Sequence, residues 1–146
     1  MLQHLRRCVP DVESHLALIQ NLDLKRRFDL VIGPSSIFEP DATLAAAVRH
    51  LGRGGRIGME LMNPHWLDRT RHKGVRIRGT RMEVDYRLPD GSLVVQVVDG
   101  WHPGPAPENA ARRLARFGLR KLWLGARPGY TLAESPTYYV LAGRAT

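Results

Sequence analysis

Cysteine is almost absent: Cys8 is the single one in 146 residues. One thiol excludes an internal disulfide framework and suits a reducing, cytoplasmic setting. Long apolar runs are also lacking. No stretch approaches the roughly 18 apolar residues of a membrane-spanning helix. The opening, Met1-Leu2-Gln3-His4-Leu5-Arg6-Arg7, has no apolar core of the kind a signal peptide needs. Lysine is scarce, since only Lys25, Lys73 and Lys121 contribute to the 22 basic residues. Histidines stand at 4, 15, 50, 65, 72 and 102, with no close pair at metal-ligand spacing, so no metal site is expected.

Two motifs are missing where their fragments tempt. Gly52-Arg53-Gly54-Gly55 is not a dinucleotide-binding loop, because Ile57 stands where the third glycine belongs. These glycines also follow a helix and open a strand, the reverse of what phosphate binding requires. Ser35-Ser36 follows a strand but lies in no G-x-S-x-G elbow, so a serine nucleophile is not expected. Cys8 beside Arg6-Arg7 reads more simply as a small buried side chain than as an activated thiol.

What is present is an ordinary globular composition, 43% hydrophobic and 25% charged, in a chain long enough for one domain. The excess of basic over acidic residues, +8 in net charge, fits either a phosphate-rich partner or an arginine-rich solvated surface. Residues up to Cys8 read as the end of a helix, stopped ahead of Val9-Pro10. Val12 to Ile19 is a strand candidate. Phe28-Asp29-Leu30-Val31-Ile32, closed by Gly33-Pro34, is a clearer one, apolar on both faces like a buried parallel strand.

Asp41 is placed to cap a helix carrying Leu44, Ala47, Val48 and Leu51, with Arg49 and His50 as cations in its last turn. A strand over Arg56–Met62 follows. Strand, helix, strand is the signature of a parallel α/β unit. Val75–Leu88 and Leu93–Gly100 then form an antiparallel hairpin across Pro89-Asp90-Gly91-Ser92, with a bulge expected at Gly79. A helix over Ala110, Ala111, Leu114 and Phe117 ends at Gly118. Lys121–Leu124 and Thr137–Ala142 close the chain as strands.

Seven basic residues fall between Arg69 and Arg87, near Trp66, Tyr86 and Trp101. Such interleaving suits single-stranded nucleic acid, and equally a solvated lid. Glu83, Asp85, Asp90 and Asp99 interrupt the basic field and favour the lid.

Five passages, in order, resemble the C-terminal part of a class I S-adenosylmethionine-dependent methyltransferase. Arg27-Phe28-Asp29-Leu30-Val31-Ile32 is similar to the family's fourth strand. Val48-Arg49-His50-Leu51-Gly52-Arg53-Gly54-Gly55-Arg56-Ile57 resembles its passage from helix to fifth strand, with Arg53 where proline is usual. Glu60-Leu61-Met62-Asn63-Pro64 resembles the end of that strand, the hairpin resembles an inserted substrate lid, and Ser135–Ala142 resembles the closing strand.

The resemblance implies a partial Rossmann-like α/β sheet, mixed and mostly parallel, with an inserted antiparallel lid. The core would span residues 1–64 and 101–146 and the lid about 65–100, as one truncated domain. It implies S-adenosylmethionine as cofactor, a small-molecule substrate, and no membrane or nucleic-acid partner. Ala17, Leu18, Gly33, Pro34, Ser35 and Phe38 would border the cofactor, and Asn63, Trp66, Tyr86 and Trp101 the substrate. Each group also has a structural reading, a turn for the first and packing for the aromatics. No catalytic base is nominated.

The family's glycine-rich cofactor turn and the acidic residue after it have no counterpart here; their elements would take about 30 residues or more. Leu18 stands where relatives carry an acidic residue, and leucine cannot accept a hydrogen bond. A non-catalytic scaffold or regulatory partner is therefore the alternative function, and an RNA-binding module a third. The strands that the family seats beside Phe28–Ile32 would also be missing, which leaves an open edge. Either Val12–Ile19 crosses over to pair there, or a second chain does.

Overall fold

The computed structural model describes residues 7–70, 74–100 and 104–144. Its first strand, β1 (Phe28–Gly33), runs parallel to β2 (Leu51–Met62), from Leu30 opposite Arg56 to Gly33 opposite Met59. A parallel neighbour needs a crossover, and helix α1 (Asp41–Arg49) supplies it. Five strands follow β2: β3 (Val75–Arg78), β4 (Arg81–Arg87) and β5 (Leu93–Val98), then β6 (Leu119–Ala126) and β7 (Thr137–Arg144). Helix α2 (Pro64–Thr70) leaves the end of β2, and α3 (Ala110–Ala115) precedes β6.

The main sheet has the order β1-β2-β7-β6. The mixed α/β class expected from the sequence is present, but the balance within the sheet differs: β1–β2 is parallel, while β2–β7 and β7–β6 are antiparallel. The reason is local. β6 and β7 are consecutive and joined as a hairpin, and it is β7 that takes the place beside β2.

Alternation along the strands decides where the core lies. Ile57, Met59 and Leu61 of β2 and Tyr138, Val140 and Ala142 of β7 point to one face and are buried there. Leu44 and Ala47 of α1 and Ala110 and Leu114 of α3 close over them. The opposite face carries Gly58, Glu60, Tyr139, Leu141 and Trp123, and among the described residues no helix covers it. Trp123 is consequently 53% exposed. At the β1 end, Leu30 and Ile32 are 52% and 67% exposed, so among the described residues β1 is an open, apolar edge.

The second sheet, β3-β4-β5, is antiparallel throughout. Val75 and Met82 pack on Leu67 of α2, with Trp66, Ile77, Val84 and Val98 around them. Its other face holds an ion-pair network. Arg76 meets both oxygens of Asp85 at 2.7 Å and Glu83 at 3.1 Å, and Arg81 reaches Glu83 at 3.2 Å. The arginines beside them hold the Asp85 and Glu83 carboxyls below their ordinary range. Arg76 and Arg81 of the basic stretch are thus spent on their own sheet.

Several local expectations are corrected. Val12–Ile19 forms no strand: Leu16 is 91% exposed, and the segment leads into a 3-10 turn at Ile19–Asn21. Alternating apolar residues without a partner strand bury nothing, so extended pairing has no driving force. The segment does not cross over to β1. Asp41 does not cap α1; Pro40 holds the N-cap position, and the Asp41 carboxylate accepts from Arg113 at 3.0 Å and Arg116 at 2.9 Å. Gly79 is not in a bulge but in the turn between β3 and β4, where its φ of 59° suits glycine. Cys8 is exposed rather than buried. The expected N-terminal helix is present only at residues 7 and 8, and its earlier part, with Trp101, lies outside the described residues.

His50 is not a solvated cation at the end of α1. It is buried, its Nδ1–H donates to the Ala46 carbonyl at 2.8 Å, and its Nε2 accepts the Leu24 N–H at 3.0 Å. The ring therefore ties the segment before β1 to the helix after it. We expect His50→Phe, which keeps the bulk and loses both bonds, to cost about 1–3 kcal/mol in denaturant unfolding. Faster tryptic cleavage at Lys25 and Arg26 is expected with it.

Candidate functional site

In open α/β sheets the carboxyl ends of parallel strands are where loops gather and ligands bind. Here those ends are Gly33 of β1 and Met62 of β2, and two carboxylates clamp them together. Glu60, on β2, accepts the Ser35 N–H at 2.7 Å, and its own carbonyl accepts the Ser36 N–H at 3.1 Å. In return Glu39, from the loop, accepts the Met62 N–H at 2.8 Å. Ser35 and Ser36 both take positive φ, 52° and 61°, so the Glu60 contacts hold a turn that L-residues resist.

Gly33 is needed for a different reason. A Cβ at this position would lie 2.2 Å from the Phe38 ring. Phe38 is 4% exposed and belongs to the core, so it supports the loop from beneath. From α3, Arg113 donates to the Phe38 carbonyl at 2.8 Å and the Glu39 carbonyl at 2.6 Å while pairing with Asp41. Tyr138 donates its hydroxyl to the Pro105 carbonyl, and burial pushes its pKa up. Burial also raises Glu39, opposed by its bonds to the Met62 N–H and Ser36 and by the Arg113 charge.

Of the residues expected at the substrate, Asn63 is fully buried and its polar atoms are spent. Its Nδ2 donates to the Leu132 carbonyl at 2.8 Å and the Ser135 carbonyl at 2.9 Å. Its Oδ1 accepts the His65 N–H at 3.1 Å, capping α2 with Pro64 in the first helical position. Trp66, one turn on, packs in the core of the lid. Tyr86 is half exposed on β4, four residues from Met82 and so roughly 13 Å along the strand. The structure thus joins Asn63 and Trp66 through α2 and leaves Tyr86 at the outer end of the lid.

Among the expected cofactor residues, Gly33, Pro34 and Ser35 share one loop. Ala17 and Leu18 are exposed, Leu18 at 64%, just ahead of the 3-10 turn. The next residue, Ile19, instead lines an apolar cleft of about 320 Å³ with Leu22, Ile37, Phe38 and Ala46, against β1. A second cleft of about 360 Å³ lies on the open sheet face, between Leu30, Ile32, Pro34, Glu60, Trp123 and Tyr139. Sequence reasoning missed Glu39, Glu60 and the pair His65–Glu108, whose Nε2 lies 3.0 Å from both carboxylate oxygens. The Asn-Pro pair at 63 and 64 was a legible start signal for α2. Nothing local marks Glu39 or Glu60.

No protein-family model and no curated protein sequence matches the chain. Solved structures do. An S-adenosylmethionine-dependent methyltransferase from Clostridium acetobutylicum aligns with 99% of this chain and 70% of its own, at 15% identity and a TM-score of 0.68. The methyltransferase CcbJ from Streptomyces caelestis gives 99% and 75%, 15% and 0.68. CalS10, an amino pentose methyltransferase from Micromonospora echinaspora, gives 99% and 70%, 15% and 0.60. The fold is therefore that of class I S-adenosylmethionine-dependent methyltransferases, over the whole chain.

The raised Glu39 pKa fixes the sign of a pH effect. A carboxyl whose folded pKa exceeds the ordinary 4.5 binds its proton more tightly when folded. Its contribution to stability therefore falls as pH rises from 4.5 through the folded pKa, and stays low above it. Glu39→Gln keeps an acceptor for Met62 and removes that loss. We expect the melting temperature of the variant, relative to the unsubstituted chain, to rise across this window and then level off.

Proposed function

We propose that the chain serves S-adenosylmethionine-dependent methyl transfer to a small molecule, holding one wall of the cofactor site. The observation that supports this most directly is the match of the whole chain to methyltransferase structures, with the clamped Gly33–Glu39 loop at the ends of the parallel strands. The cleft beside that loop is apolar and fits a flat adenine ring between Ile19, Ile37 and Phe38. It does not fit the rest of the cofactor. His50 is its one polar side chain and is already engaged, so ribose hydroxyls and the amino-acid end find no partner there. This cleft by itself would hold only the adenine end of the cofactor.

When bound, the cofactor supplies a methyl group on a sulfonium, and the protein's task is chiefly positioning. In this chain the Glu60–Ser35 bond orients the loop, Asn63 fixes α2 to the 131–136 loop, and residues 65–100 form the lid over the substrate. His65, held by Glu108 at 3.0 Å, lines a separate cleft with Lys121, Leu124 and Leu132 and is not nominated as a base. The amino pentose enzyme and a glycopeptide N-methyltransferase among the structural neighbours make an amine the acceptor we favour.

A second reading, a non-catalytic scaffold or regulatory partner, is favoured by that same lack of polar groups in the cleft. Isothermal titration of the chain with S-adenosylmethionine separates the two. Micromolar binding supports the enzyme reading and ends the scaffold one. No detectable heat in the chain alone ends the reading of an autonomous enzyme.

A further inference from the structure

We infer that two copies of the chain join through the β5 strands of their lids, paired antiparallel about a two-fold axis so that the two lid sheets become one. The lid sheet is built from strands within residues 75–98 alone, and β5 is its outer strand. Leu93, Val94, Val95 and Val97 are 58%, 45%, 44% and 42% exposed. From Leu93 to Val98 the strand carries no charge, proline or glycine. Those are the residues that blunt edge strands against pairing. The opposite edge, β3, has Arg76 and Arg78.

The free main-chain groups of β5 can be placed. The Leu88 N–H donates to the Ser92 carbonyl at 2.9 Å, a hydrogen-bonded pair at the mouth of the hairpin. Antiparallel pairs alternate, so Val94, Gln96 and Val98, opposite Tyr86, Val84 and Met82, bond to β4. Leu93, Val95 and Val97 therefore turn their N–H and C=O groups outward. Two copies related by a two-fold axis normal to the sheet must pair about a single residue, so that faces match. Centred on Gln96, the register sets Val95 against Val97 of the second copy, Val94 against Val98, and the two Gln96 amides against each other. The outward groups of Val95 and Val97 then bond across the axis, and each valine meets a valine on its own face. Centred on Val95, the register would oppose Gln96 to Val94 and strand the amide among apolar side chains.

Charge complements the Gln96 register. Arg87 is exposed; its guanidinium donates to the Gly91 carbonyl at 3.1 Å and meets no carboxylate among the described residues. The Asp99 side chain is 73% exposed and lies 3.6 Å from Arg81, a loose pair. Arg87 stands opposite Leu93, and the same register continued sets Arg81 opposite Asp99, so all four side chains share one face of the sheet. The Gln96 register brings Asp99 of the second copy opposite Leu93, one strand away from Arg87. Their Cα atoms are then about 10 Å apart, a gap that the two side chains close over Leu93. The two-fold makes this contact twice. The interface does not depend on methyl transfer.

Sedimentation equilibrium of the full chain, without cofactor, tests it. We expect a reversible dimer at micromolar concentrations. Val95→Lys, exposed in the single chain and therefore compatible with folding, should weaken it at least roughly tenfold with an unchanged circular dichroism spectrum. Arg87→Glu and Asp99→Arg should each weaken it alone, and an equimolar mixture of the two should recover it, because both contacts of the mixed dimer again join opposite charges. A monomeric chain overturns the inference, as does a dimer whose affinity Val95→Lys leaves unchanged. Failure of the mixture to recover overturns the register.

Discussion

Because side chains alternate along a strand, the β2–β7 ladder sends Ile57, Met59, Leu61, Tyr138, Val140 and Ala142 to a single side of the sheet. The two helices that bury them, α1 and α3, have their places set by this one-sided demand. α1 is the crossover that makes β1 parallel to β2, and α3 feeds β6 into the hairpin with β7. Everything apolar that the ladder sends to the other side, together with Leu30 and Ile32 of β1, is left without a helix among the described residues. Among the described residues the core is closed on one side of the sheet, and one face and one edge stay open.

The same asymmetry shapes the site. The carboxyl ends of β1 and β2 are held by reciprocal bonds, Glu60 to the Ser35 N–H and Glu39 to the Met62 N–H, with Arg113 fastening the Phe38 and Glu39 carbonyls from α3. These contacts rest on the buried core and are well supported. The cleft they border is walled by apolar side chains on the side this chain provides and open on the other. A rigid loop beside a half-built cleft is consistent with one wall of a cofactor site, and it ties the question of cofactor binding to the question of what covers β1.

Much of this was readable before the structure. The apolar, β-branched run at Phe28–Ile32 and the helical spacing of Leu44, Ala47 and Val48 carry their own period, so β1 and α1 stand where expected. The lid followed from its turn signal at Pro89–Ser92 and from the acids that interrupt its arginines, and Arg76 does meet Glu83 and Asp85. Val12–Ile19 was misread because alternation alone does not make a strand; it needs a neighbour, and Leu16 and Leu18 have none. Asp41 was misread because a carboxylate near a helix start can serve a cap or an arginine. The sequence does not say that Arg113 and Arg116, more than seventy residues on, come to it.

What the sequence by itself determined are properties carried by neighbouring residues: the absence of a disulfide framework, the order of most strands and helices after Phe28, the periodicity that marks them, and the resemblance that the methyltransferase structures bear out for the fold. What only the tertiary structure decided are the pairings between distant residues. It placed β7 rather than β6 beside β2, made Asn63, expected beside the substrate, a buried tie between α2 and the 131–136 loop, and turned His50 from a solvated helix-end residue into a bridge to Leu24. It also showed β1 as an open apolar edge. Each of these depends on which groups compete for the same backbone partner or the same buried space, and that competition is resolved only when the chain is folded.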